Sequence, residues 1–272
     1  MNKLKLITVM LAVAALVQTG DACTVVIAGK KATVDGSVLN SHTDCGPDCR
    51  IQVVPGQKYP KGTMAPVYYG ILTRNRPEMG EGEILGYIPQ VEETYTYFHS
   101  AYSHINEYQL CIGESTMSQR PELQVGKGEG KQIMTVEQAA VFALQRCKTA
   151  EEALSLITSL MEKYGFLPSC GPESECLTLA DPDKVWVLEL FSVGKDWTPE
   201  SGKPGVIWAA QRLPDDQVAI IPNWSIIKEI DLSKPDQFRA SSNYMQEAVD
   251  RGWYDPSGKH PFVWQEVYAP TP

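Results

Sequence analysis

Cys23 is the residue whose position in this sequence most directly suggests chemistry. Lys3 and Lys5 precede an apolar run from Leu6 to Val17, broken by one Thr, and Gln18, Thr19, Gly20, Asp21 and Ala22 then lead to Cys23. A basic start, a short apolar run and small residues in that order read as a secretory signal peptide over 1–22, cut between Ala22 and Cys23. The apolar run is shorter than the ~20 residues that a membrane-crossing helix needs, so no stable membrane span is expected. Two other readings stay open. The segment is a buried N-terminal helix, or Cys23 is the acylation point of a lipoprotein. A lipoprotein signal usually has Leu three residues before the Cys and a small uncharged residue next to that Leu, where this chain has Gly20 and Asp21.

A Cys freed at the start of a mature chain joins a thiol and an α-amine in one residue. The amine has an ordinary pKa of about 7.7–8.0, so it accepts a proton near neutral pH and can activate its own thiol without a partner His. The thiolate would attack an amide carbonyl to give a thioester, which water then hydrolyses. Donors aimed at the tetrahedral oxyanion, and a group that holds the amine, complete such a site. Asp44, on the return strand of the first expected hairpin, fits the second role; its plainer role is to cap the turn before Cys45-Gly46-Pro47. His42 reads as a structural histidine, since the amine already serves as base.

These residues need elements to position them. Thr24 to Gly29 is a short β-branched run, and Asp35-Gly36 is a hairpin signal before a return strand from Ser37 to Asn40. Ile84 to Ile88, Thr94 to Phe98 and Gln109 to Ile112 read as strands. Thr135 with Gln138, and Thr149 with Glu152, are capping boxes that predict helices over Val136 to Arg146 and Ala150 to Tyr164, the second closed by Gly165. Leu177 to Ala180 and Val185 to Phe191 predict a hairpin, and Val206 to Ala210 and Gln217 to Ile221 further strands. A last helix is expected over Asn243 to Arg251, capped by Ser241 or Ser242 and ended by Gly252. Strands, a helical pair and strands again suit an α+β fold of mainly antiparallel sheets.

Composition narrows the function classes. With 272 residues, 43% hydrophobic and 21% charged, the chain has the balance of a globular domain. A net charge of −9 with scattered Lys and Arg argues against a nucleic-acid partner, because phosphate binding needs clustered cations. The seven Cys are an odd number, consistent with one thiol kept free. Local pairs Cys45–Cys49 and Cys170–Cys176 are compatible with the Gly and Pro between them. Neither pair has zinc-knuckle spacing and no His lies within ligand spacing, so no metal is expected.

The segment Cys23 to Ser37 resembles the opening of the peptidase-D-like cysteine dipeptidases, which belong to the N-terminal-nucleophile (Ntn) hydrolases with penicillin V acylase and bile salt hydrolase. The likeness continues in order through Ser41-His42-Thr43-Asp44, Pro60-Lys61-Gly62, Asn106-Glu107, Ile112-Gly113-Glu114-Ser115-Thr116, Ala180-Asp181-Pro182, Trp208 to Asp216, Pro222-Asn223 and Gly252 to Pro256. The resemblance implies a four-layer αββα sandwich with the nucleophile at the end of a central strand. It implies hydrolysis of dipeptides by Cys23, with Asn223 in the oxyanion hole and Asp44 on the N-terminal residue, and no cofactor. An amidase or acylase acting on non-peptide amides would use the same nucleophile.

Arg212 and Glu114 are candidates for binding the two ends of a dipeptide, the Arg by a bidentate grip on a carboxylate. Each is otherwise a solvated charge at a strand end, and Asn223 after Pro222 is otherwise a turn residue. Some relatives carry an Arg on the return strand, where this chain has Ser41 and His42. Members of the family are usually longer than this chain, so the domain 23–272 is expected to be a partial sandwich, incomplete at the C-terminus.

Overall fold

Strand β10 (Val185–Phe191) shows how the layers arise. All of its residues are buried, as in a strand covered on both faces, yet its two faces enter different cores. Trp186, Leu188 and Leu190 join a core with two helices; Val187 and Phe191 join a core with a second sheet. In this computed structural model, the described residues are 23–43, 50–69, 82–102 and 104–270.

Thirteen strands and four α-helices occur among these residues. The first strands are β1 (Thr24–Ala28), β2 (Leu39–Thr43), β3 (Gln52–Val54), β4 (Met64–Tyr69), β5 (Glu83–Pro89), β6 (Tyr97–His99), β7 (Ile105–Asn106) and β8 (Cys111–Met117). Helices α1 (Val136–Arg146) and α2 (Ala150–Tyr164) follow. Then come β9 (Ser174–Ala180), β10, β11 (Ile207–Arg212), β12 (Val218–Ile221), β13 (Phe238–Ala240), α3 (Gln246–Asp250) and α4 (Trp264–Tyr268). An eight-stranded antiparallel sheet runs β13-β11-β10-β9-β8-β7-β6-β3, a three-stranded one β12-β1-β2, and β4 pairs with β5 alone.

Helices α1 and α2 start where the capping boxes place them: Thr135 accepts from the Gln138 amide and Thr149 from the Glu152 amide. Each such cap contributes about 1 kcal/mol. Their apolar faces, including Phe142, Leu154, Ile157 and Met161, pack on Leu177, Leu179 and Leu188. On the other face of the large sheet sit β1 and β2, with Val25 and Ile27 fully buried. Gly113 of β8 permits that approach, because a Cβ there would lie 2.6 Å from Thr178 Oγ1 and 2.9 Å from Asn40 Oδ1. The described residues thus stack as a helix pair, a large sheet and a small sheet. The outer face of the small sheet exposes Val26, Leu39, Val218 and Ile220.

Several expectations are corrected. Asp35-Gly36 does not make a tight hairpin; residues 29–38 form a longer turn-rich connection, with Ser37 N–H and Oγ both donating to Asp35 Oδ1. The strand expected at 109–112 extends to Met117, because Glu114, Ser115 and Thr116 pair with β9 despite their polarity. The third helix is shorter and has no side-chain cap at Met245. The Ser241 hydroxyl instead accepts from Trp208 N–H at 3.0 Å. Helix α4, unforeseen, seats Trp264 and Tyr268 against Phe191. Cys170 and Cys176 are both free thiols. They serve opposite faces of the large sheet: Cys170 packs with the helix-side core and Cys176 with the inter-sheet core. Cys45 and Cys49 lie outside the described residues.

Candidate active site

Cys23 immediately precedes β1, the middle strand of the small sheet, and is only 7% exposed. Pairing with β12 and β2 on its two edges fixes the head of this strand more firmly than a free terminus would be fixed. The next amide, Thr24 N–H, donates to Thr43 Oγ1 at 3.0 Å and clamps this end of β1 to β2. While Ala22 remains attached, the Cys23 nitrogen is an amide and cannot act as a base; cutting that bond creates the amine.

Asn223 is brought to the same end of the ladder. Val25 pairs with Ile221, so Cys23 stands two residues before one partner and Asn223 two residues after the other. Two bonds from β8 hold the turn. Ser115 Oγ donates to Pro222 O at 3.0 Å, and Asn223 Nδ2 donates to Thr116 O at 2.8 Å. An amide nitrogen carries two hydrogens, so one N–H of Asn223 stays available for an oxyanion.

A buried carboxylate fixes the chain just beyond. Glu189, with no exposure, accepts from Ser225 Oγ at 2.6 Å, Ile226 N–H at 2.6 Å, Ile227 N–H at 3.1 Å and Trp264 Nε1–H at 2.8 Å. Burial pushes its pKa up, and those four donors pull it back. Sequence reasoning missed Ser115, Thr116 and Glu189. The first two sit in a motif that carried the resemblance; Glu189 had a signal of its own, a lone acid in an otherwise apolar strand.

The remaining candidates separate. Asp44 lies outside the described residues. Arg212 ends β11 and pairs with Asp215 at 2.7 Å. Asp215 packs against Gly29 at the far end of β1, some six residues from Cys23 and thus about 20 Å along an extended strand. Arg212 is therefore not brought to Cys23. Glu114 is not a solvated strand-end charge, being 1% exposed, with Thr116 Oγ1 donating to its Oε1 at 3.2 Å. It lies in an acidic cluster with Glu175, whose pKa is raised well above the usual range by burial and by the charge of Glu114. Glu137, also buried, accepts from Ser169 Oγ at 2.6 Å.

His42 is more than a space-filling histidine. Its Nδ1 accepts the Glu114 amide N–H at 3.0 Å, on the edge of β8 that faces away from β9. Burial and the nearby His104 bring its pKa down to about 4, so the ring is neutral at pH 7. Among the described residues, no group of three or more His, Cys, Asp or Glu is arranged to hold a metal ion. No helix among them is long and apolar enough to cross a membrane.

Comparison with known proteins identifies the family. The model of "Peptidase family C69" matches residues 22–272. The chain is 24% identical over 240 residues to probable dipeptidase B of Lactococcus lactis subsp. lactis (strain IL1403), covering 86% of this chain and 45% of that protein. It is 24% identical over 255 residues to a probable dipeptidase of Latilactobacillus sakei, covering 87% and 46%. To dipeptidase A of Lactobacillus helveticus it is 22% identical over 244 residues, covering 86% and 47%. The chain thus spans less than half the length of each of these relatives.

Proposed function

The chain belongs to peptidase family C69, and from that premise we propose that it is an exported cysteine dipeptidase whose nucleophile is Cys23. The observation that carries the reading is the placement of Cys23 at the head of the central strand β1, at the same ladder end as Asn223. The relatives are named dipeptidases, which supports dipeptides as substrates. The four-layer αββα arrangement of Ntn hydrolases is part of the reading. A helix pair, a large sheet and a small sheet stacked in that order support it. The apolar outer face of the small sheet is where a second helical layer would lie.

The mechanism then runs as follows. Removal of 1–22 frees the Cys23 amine, which takes the thiol proton, and Sγ attacks the peptide carbonyl. The free N–H of Asn223 Nδ2, on a half-buried side chain, donates to the developing oxyanion. The tetrahedral intermediate collapses to a thioester as the leaving amine takes the proton back from the Cys23 ammonium. Water, deprotonated by the same amine, attacks the thioester; the C–S bond breaks, Sγ takes the proton back from the ammonium, and the acyl group leaves as its acid.

Two measurements test this. Mass spectrometry of the mature protein should show a chain beginning at unmodified Cys23; a diacylglyceryl Cys23 or an intact 1–22 would sink the reading. Cys23→Ala and Cys23→Ser should each abolish dipeptide hydrolysis while leaving the circular dichroism spectrum unchanged. Undiminished turnover by the Ala variant would place the nucleophile elsewhere.

A further inference from the structure

A cavity of about 350 Å³ lies beside β2, lined in part by Asn40, Ser41, His42, Ser100, His104 and Ile112. That volume is within the roughly 300–1,000 Å³ range of small-molecule sites. Its position relates it to the nucleophile. His42 pairs with Val25, two residues along β1 from Cys23, which is about 7 Å at 3.3 Å per residue. A substrate held with its carbonyl at Cys23 would reach the cavity with a side chain one residue's length away.

The chemistry of the walls selects what enters. Because the Glu114 N–H occupies the lone pair on His42 Nδ1, that nitrogen carries no proton, and the neutral ring must be protonated at Nε2. Among the described residues no acceptor meets this Nε2–H, which leaves His42 with one donor to offer to a ligand. The ring cannot become an imidazolium without giving up its bond to Glu114. His104, 6.4 Å from His42 between ring centres and stacked on Phe98, forms the adjoining wall, and its own pKa is lowered by burial. No Lys, Arg, Asp or Glu is among the described lining residues. From these described walls a carboxylate would meet no opposite charge, and an ammonium would meet none either. A purely apolar side chain would leave the Nε2–H buried without a partner, which costs more than the bond itself contributes.

We propose that this cavity receives an uncharged, hydrogen-bond-accepting side chain of the substrate, a carboxamide or a hydroxyl, with His42 Nε2–H as its donor. The proposal rests on the dipeptidase reading for its substrate, and makes His42 the residue that selects among dipeptides.

The test uses the full mature chain and dipeptides with Asn, Gln, Leu, Asp or Glu at either position and Ala at the other. The kcat/KM for the Asn or Gln dipeptides should exceed that for the shape-matched Leu dipeptide by about ten-fold, the value of one hydrogen bond. Asp and Glu dipeptides should be poor substrates. His42→Asn keeps an acceptor for the Glu114 amide near Nδ1 but withdraws the donor from the cavity, so the ten-fold preference should fall to about one. A preference that survives His42→Asn, or a higher kcat/KM for Asp or Glu dipeptides, overturns the proposal. Binding separates it from the dipeptidase reading. Calorimetry of the same dipeptides on Cys23→Ala should show the same His42-dependent ranking even if no dipeptide is turned over. Equal affinity for Gln-Ala and Leu-Ala there would overturn it as well.

Discussion

Glu189→Gln gives the sharpest test of how the candidate site is held. The carboxylate meets four donors and no acceptor: Oε1 takes the Ile226 and Ile227 amides, and Oε2 takes Ser225 Oγ and Trp264 Nε1. A glutamine has one acceptor oxygen. If it keeps the two backbone amides, its NH2 group faces Ser225 and Trp264. The Ser225 hydroxyl can rotate and accept, but the indole N–H cannot. The variant therefore loses one charge-assisted bond, weakens another and leaves a buried N–H unpaired, a loss of about 3–5 kcal/mol at roughly 1.5–3 kcal/mol per bond to a charged group. Relief of the buried charge, which already pushes the Glu189 pKa up, offsets part of this, so the net cost is about 2–3 kcal/mol. For a domain of this size each kcal/mol lowers Tm by about 2–4 °C, so thermal melting should show a drop of about 5–10 °C. Trp264→Phe removes the indole donor. In the Glu189→Gln background it should cost about 1–2 kcal/mol less than it does alone. A Tm for Glu189→Gln within about 2 °C of wild type, or strictly additive costs for the pair, would refute the four-donor account.

Two other predictions follow from the site. Asn223→Ala should lower kcat by about 10²–10³ with little change in KM, as for loss of one oxyanion donor, and leave alkylation of Cys23 by iodoacetamide intact; a change confined to KM would contradict the role. His42, held neutral, makes stability depend on pH. Its folded pKa of about 4 lies below the ordinary 6.5, so the unfolded chain takes up the proton first. Stability is fully present above pH 6.5 and is lost as pH falls toward 4, by up to about 3 kcal/mol. Urea unfolding at pH 7 and pH 4.5 should show this loss in the wild type and a smaller one in His42→Asn.

The sequence carried the local elements whose signals are local. Capping boxes at Thr135 and Thr149 placed α1 and α2, because a cap and its helix are set by residues three apart. Apolar runs placed β1 and the β9–β10 hairpin for the same reason. Cys23 stood out by its neighbours alone, and Asn223 by an ordered set of family motifs.

What the sequence left open depends on residues far apart along the chain. That Glu114, Ser115 and Thr116 continue a buried strand follows from pairing with β9, which outweighs their polarity. Nothing near Arg212 says that it lies at the far end of β1, nor does anything near Cys170 and Cys176 say that the sheet lies between them. The order of layers, the approach of Pro222 and Asn223 to Ser115 and Thr116, and the tautomer of His42 were likewise decided only by tertiary structure. Each is a hydrogen bond or a packing contact between segments that only the folded sheets bring together.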